Sequence, residues 1–185
     1  MINRNVNVLL ALLLAVAAPC AIAQTVQFEA EPNNSVAAAN AITLTNNVAK
    51  VSANVYPNAD EDFYSFTVAA AGKAYVSTQT SYSSSASTDS IIEVIGTNGT
   101  TVLETDNDDG TFGALSSVIA GVNLPAAGTY FIRVRHNSAT TQLRGYDLYV
   151  SVQTGAPTAE VEANDTPATA NAVPASGYIL SLIHI

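Results

Sequence analysis

The stretch Thr129-Tyr130-Phe131-Ile132-Arg133-Val134-Arg135 alternates side chains with a period of two. Tyr130, Ile132 and Val134 share one face, and Arg133 and Arg135 share the other. Such alternation fits a half-buried β-strand and no helix. The same period runs through Phe63-Tyr64-Ser65-Phe66-Thr67-Val68 and Gly145-Tyr146-Asp147-Leu148-Tyr149-Val150-Ser151-Val152. Working outward, further strands are predicted at 48–56, 74–80, 90–95, 100–105 and 116–122. Turn residues fall between the runs: Ala71-Gly72-Lys73, Asn98-Gly99, Asp109-Gly110 and Ala127-Gly128. About eight short strands in about 105 residues predict an all-β, jelly-roll-like antiparallel β-sandwich. Only 35–42 carries a helix signal, a turn or two capped by Asn34 or Ser35.

The chain has 185 residues, 48% of them hydrophobic and 11% charged, with a net charge of -9. That is apolar enough for a core and too sparsely charged for a disordered acidic tail. An acidic surface repels phosphate backbones, so no nucleic-acid partner is expected.

Residues 1–23 read as a secretory signal peptide. Arg4 supplies the positive charge, Val8 to Ala18 the apolar run, and Ala21-Ile22-Ala23 the small residues before a cut at Gln24. The apolar run is short for a membrane span, and Pro19 before Cys20 argues against a lipoprotein signal. The expected location is therefore extracellular or in the cell envelope, with no membrane span left after cleavage. The mature chain would hold no cysteine and no disulfide.

An internal repeat divides the rest. Glu29-Ala30-Glu31-Pro32-Asn33-Asn34-Ser35 through Ala41 returns as Glu160-Val161-Glu162-Ala163-Asn164-Asp165-Thr166 through Ala172, 131 residues further on. The predicted organisation has an acidic linker and calcium segment at 24–47, a sandwich at 48–153, a linker at 154–159 and the start of a second, truncated copy at 160–179. The last six residues, Leu180 to Ile185, are what CTGTCTCTTATACACATC encodes. This resembles a transposase-end sequencing adapter, so 180–185 is expected to be foreign to the gene.

In an extended segment, residues two apart point the same way at about 6–7 Å. Glu29 and Glu31 can therefore converge on one cation, with Asn33 or Asn34 adding a carbonyl. Asp60 and Asp62 offer a second pair at the same spacing. Oxygen donors of this kind suit calcium, which takes roughly six to eight. Asp106-Asn107-Asp108-Asp109-Gly110 is not an EF-hand loop: the glycine comes one position early and Ser117 stands where the bidentate glutamate belongs. It is expected to be an acidic turn. Apart from the tail, His136 is the sole histidine, and no nucleophile elbow, phosphate loop or zinc spacing accompanies it. A glycosidase-type carboxylate pair is not testable by spacing, but the residues give no support for an enzyme.

The ordered motifs resemble the bacterial pre-peptidase C-terminal domain family over about Glu29 to Val152. They are Glu-x-Glu-Pro-Asn-Asn, then Asp60-x-Asp62-Phe63-Tyr64-x-Phe66-x-Val68, then Leu103-x-x-x-Asn107-Asp108-Asp109. Ala127-Gly128-Thr129-Tyr130-x-Ile132-x-Val134 and Gly145-Tyr146-x-Leu148-x-Val150 complete the set. The resemblance implies a non-catalytic jelly-roll-like sandwich of secreted proteins. It is related to the collagen-binding segments of clostridial collagenases, whose linker binds calcium. By that match Glu29, Glu31, Asn33, Asp60 and Asp62 are the implied ligands, with Asn34 where that branch can have Asp. Nothing here carries over collagen binding. The expected function is a calcium-stabilised module for adhesion, spacing or substrate attachment, its partner an extracellular protein or polysaccharide. One alternative is an accessory domain of a secreted peptidase. Another is a carbohydrate-binding module using Phe131 and Tyr149.

Overall fold

The computed structural model describes residues 25–110, 112–113, 115–174 and 179–180. The expectations for residues 1–23 and for most of the 180–185 tail lie outside them. In chain order the strands are β1 (Val26–Phe28), β2 (Asn40–Ala41), β3 (Val48–Val55), β4 (Glu61–Val68), β5 (Gly72–Gln79), β6 (Ser90–Ile95), β7 (Val102–Asn107), β8 (Val118–Leu124), β9 (Gly128–His136), β10 (Leu143–Thr154), β11 (Thr158–Ala159) and β12 (Ile179–Leu180). Two five-stranded sheets, β1-β3-β10-β5-β8 and β2-β4-β9-β6-β7, form a β-sandwich.

The eight strands read from the period-two pattern are β3 to β10, each within a few residues of its expected bounds. Two features differ from the sequence expectation. Each sheet gains a short edge strand, β1 and β2, and both pair in parallel, so the sheets are mixed rather than purely antiparallel. Residues 35–42 form no helix beyond a single 3-10 turn at Val36–Ala38, and Ser35 caps it with no side-chain hydrogen bond. Asn40 and Ala41 instead continue as β2 along Tyr64 and Ser65 of β4. A run this short forms one turn, for helix nucleation is costly, and the open edge of β4 captures the two residues beyond it.

The alternation puts Phe66, Val68, Tyr130, Ile132 and Val134 of one sheet against Val51, Val55, Val76, Leu148 and Val150 of the other, all buried. Arg133 and Arg135 remain on the outer face, where Arg133 meets Glu61 and Glu93 and Arg135 meets Glu93. Tyr130 is tied back at the base of its strand by donating to the Ala126 carbonyl at 2.8 Å.

The segment preceding β3 laces the two sheets together. It runs as β1 on the edge of the first sheet and as β2 on the edge of the second. Two side-chain amides hold the lacing. Asn40 accepts from the Ala30 N–H at 2.6 Å and donates to the Ala30 carbonyl at 2.9 Å. Gln27 accepts from the Thr43 N–H at 2.8 Å and donates to the Thr43 carbonyl at 3.0 Å. The acidic residues 29–34 therefore bridge from one sheet edge to the other. Asn40→Ala removes two of these bonds. It is expected to cost about 1–2 kcal/mol and to expose residues 25–40 to proteolysis while β3 to β10 stay resistant. Unchanged cleavage kinetics at that segment would contradict the clamp.

Candidate cation site beneath the linker

Asp62 occupies an inward position of β4, in line with Tyr64, Phe66 and Val68, and is fully buried. A carboxylate among core positions needs partners. Tyr146 of β10 supplies one, its hydroxyl 2.6 Å from Asp62 Oδ2. Tyr64 extends the chain: its hydroxyl lies 2.8 Å from that of Tyr146 and 3.2 Å from Glu29 Oε2, and the two phenol protons with a proton on Asp62 suffice for all three contacts. The two tyrosines come from opposite sheets, so this hydrogen-bonded row crosses the sandwich and ends on the linker. Asp62 Oδ1 is buried with no hydrogen-bond partner.

Above it, Glu29 is placed by β1, and its Oε1 accepts from the Asn54 N–H at 2.5 Å. Glu31 lies two residues on, its Oε2 accepting from the Asn33 N–H at 3.0 Å. One oxygen each from Glu29, Glu31 and Asp62 lie within 4.8 Å of one another. Asn33 is fully buried, held by its carbonyl accepting from the Phe63 N–H at 2.9 Å. Its side-chain Oδ1 and Nδ2 are both unpartnered. Asp60 is buried but differently engaged: Oδ1 accepts from Asn34 Nδ2 at 2.6 Å and Oδ2 from the Tyr56 N–H at 2.8 Å. So Glu29, Glu31 and Asp62 converge, Asn33 brings an unused amide, and the Asp60–Asn34 pair braces the loop before β4. The spacing missed Tyr64 and Tyr146, which it read only as apolar strand positions.

The electrostatics record the crowding. Burial first, then the neighbouring carboxylates of Glu29, Asp60 and Glu31, push the Asp62 carboxyl up to about 9, against the help of the Tyr146 hydroxyl. Burial also raises Glu29, with Glu31 adding repulsion, against the hydrogen bonds from Asn54 and Tyr64. Desolvation, reinforced by Asp62, lifts both Tyr64 and Tyr146 well above the ordinary phenol range.

Elsewhere, His136 Nδ1 accepts from the Ser138 N–H at 2.8 Å, and its buried Nε2 has no hydrogen-bond partner among the described residues. Asp106 lies in β7 and accepts from the Val118 N–H at 2.7 Å, bracing β8. Phe131 and Tyr149 lie in different sheets; the Tyr149 hydroxyl donates to Gln79 and its ring packs on Phe112 at 5.8 Å. Among the described residues no helix is long and apolar enough to cross a membrane.

A carboxyl that titrates near 9 folded and near 4 unfolded binds its proton more tightly in the native state over that whole window. With chelator present, stability is therefore expected to fall as pH rises from about 4 to about 9 and then to level off. Asp62→Asn keeps an acceptor for Tyr146 and removes the titration, so its pH profile should be flatter. The check is a series of chemical denaturation curves across that range; equal slopes for the two proteins would contradict a raised Asp62.

No curated protein sequence matches the chain significantly. Among solved structures, the periplasmic inhibitor of g-type lysozyme PliG from Aeromonas hydrophila is 17% identical, covering 71% of this chain and 100% of that one, with a TM-score of 0.46. The pre-peptidase C-terminal domain of collagenase from Bacillus anthracis is 17% identical, covering 62% of this chain and 93% of that one, at 0.44. A carbohydrate-binding module, CBM36, in complex with calcium and xylotriose is 14% identical, covering 54% and 77%, at 0.34. Residues 60–136 match the family described as bacterial pre-peptidase C-terminal domain, the same family that the ordered motifs resemble.

Proposed function

We propose that the chain is a non-catalytic β-sandwich module of an exported protein, stabilised by calcium held between its linker and β4, and serving adhesion, spacing or substrate attachment. The observation that carries the calcium reading is the fully buried Asp62, whose Oδ1 has no partner and which stands within reach of Glu29 and Glu31. A buried acceptor left unmade costs about 1–3 kcal/mol, more for a charged group. Ionised together, the three carboxyls would repel one another, which helps to keep the proton on Asp62. A divalent cation answers both.

The donor set fits a hard ion. Glu29, Glu31, Asp62 and the unused amide oxygen of Asn33 are all oxygens, with no cysteine or imidazole among them. Oxygen-only sets favour calcium or magnesium over zinc and copper. Donors spread over a linker and a strand suit the larger ion with its looser geometry. The ion would supply positive charge where the fold has gathered negative charge. The protein's own part is to desolvate Asp62, to hold Glu29 through Asn54 and Tyr64, and to hold Glu31 through the Asn33 N–H. The mature chain expected from the sequence has no disulfide, which makes such a tie more valuable.

At about 1 mM calcium and a dissociation constant of about 0.1 mM, linkage adds about 1.4 kcal/mol. That corresponds to a rise in melting temperature of roughly 3–6 °C for a domain of this size. Thermal melts of the purified chain with chelator and with millimolar calcium should differ by about that amount. Glu31→Ala should remove most of the difference while leaving the sandwich folded, and Asp62→Ala should do the same. Superimposable wild-type curves would falsify the calcium reading.

A further inference from the structure

Resting on the calcium reading above, we propose that the cleft beside the linker is a binding site for a uronate-bearing polysaccharide, whose carboxylate bridges the calcium ion and Arg144. The cleft has a volume of about 510 Å³ and is lined by Glu29, Glu31, Asn54, Tyr56, Ser84 and Arg144. Glu29 and Glu31 thus belong to two places at once, the cation cluster and the cleft wall.

Arg144 is the unusual member. Among the described basic side chains, Lys50 pairs with Asp147, Arg133 with Glu61 and Glu93, and Arg135 with Glu93. Lys73 donates to the Gly121 carbonyl. In a chain of net charge -9, Arg144 alone of the arginines described meets no carboxylate. It is nonetheless firmly placed. Its N–H donates to Ser85 Oγ at 2.7 Å, and its carbonyl accepts from the Ser84 N–H and from Ser83 Oγ, each at 3.0 Å. Its Nε donates to Gln142 at 2.7 Å, and its guanidinium lies 4.9 Å from the centre of the Tyr56 ring. Both Nη groups remain without a hydrogen-bond partner among the described residues. A braced guanidinium with two unused N–H donors has the geometry that a carboxylate matches in bidentate fashion.

The cation side can take a further oxygen. Counted at one oxygen each, Glu29, Glu31 and Asp62 with Asn33 Oδ1 supply four of the roughly six to eight that calcium takes. Glu29 and Glu31 also line the cleft, from which an oxygen outside the chain would come. A uronate offers a carboxylate for the guanidinium and the ion together, and adjacent hydroxyl and ring oxygens for further coordination. Asn54 and Ser84 on the rim, both exposed, suit its other hydroxyls. A glutamate or aspartate side chain of a peptide has no hydroxyls next to its carboxylate, and a neutral sugar has nothing for the guanidinium.

Isothermal titration of the purified chain separates the two readings. Calcium alone is titrated first, and then trigalacturonic acid at saturating calcium and again with chelator. Calcium should bind by itself, and trigalacturonic acid should bind only when calcium is present. Arg144→Ala should weaken the trisaccharide by roughly tenfold or more and leave the calcium isotherm unchanged. Arg144→Lys, which keeps the charge and loses the fork, should fall between. The proposal is overturned if calcium binds and trigalacturonic acid does not, or if Arg144→Ala binds it as tightly as wild type. Equal binding of a neutral galactose trisaccharide overturns the role of the carboxylate. Equal binding of a triglutamate peptide overturns the glycan in favour of an acidic peptide. Failure of calcium itself to bind removes both this proposal and the reading beneath it.

Discussion

A carboxylic acid sits where a β-sandwich normally keeps an apolar side chain, and the surrounding structure is arranged around that fact. Asp62 obeys the inward alternation of β4, so the strand period that builds the core also buries this carboxyl. Tyr146 from the opposite sheet reaches one of its oxygens, and Tyr64 carries the row of hydroxyls on to Glu29. The linker is then drawn across the edge of the sandwich. Its two edge strands and the Asn40 and Gln27 clamps fix that crossing, and the crossing sets the positions of Glu29, Glu31 and Asn33. Burial energy from the core holds these acidic groups closer together than they would settle in water. The cost appears as a proton retained on Asp62 to about pH 9. On the proposed reading a bound cation would replace that proton and so couple ion binding to folding.

The later acidic stretch shows the same local device. Asn171 accepts from the Val161 N–H at 2.9 Å and donates to the Val161 carbonyl at 2.8 Å, as Asn40 does with Ala30. The repeat of letters is thus accompanied by a repeat of hydrogen bonds. The clamp accounts for the identical asparagines: a side-chain amide carries both the acceptor and the donor that the two bonds to one residue's backbone require.

The eight long strands were legible because burial on one face imposes a period that no other element shares. The two edge strands were not, since two or three residues carry no period and are recruited by an edge already formed. Of the acidic residues, the i, i+2 spacing offered two pairs, Glu29 with Glu31 and Asp60 with Asp62, and the repeat marked the first pair. The roles within the pairs were not legible: Asp60 spends its oxygens on Asn34 and the Tyr56 N–H, and Asp62 faces inward. Tyr64 and Tyr146 could be read as core, but their meeting joins residues on different sheets, and spacing along the chain does not encode that. Arg144 was invisible for the same reason, as its neighbours Tyr56 and Ser84 come from distant loops. The family match spans 60–136, so it includes Asp62 and Tyr64 but neither the linker glutamates nor Tyr146.

Terbium luminescence tests the proposed cation site most directly. The ion takes calcium's place among oxygen donors and emits strongly only when an aromatic donor lies close by. The chain has no tryptophan, so excitation at tyrosine wavelengths reports proximity to tyrosine, here Tyr64, Tyr146 and the cleft's Tyr56, and the variants separate them. Sensitised emission that calcium displaces, and that is lost in Asp62→Ala and reduced in Tyr146→Phe, is the predicted result. Emission that is absent, or that persists undiminished in both variants, would place any bound ion away from Asp62 and contradict the site.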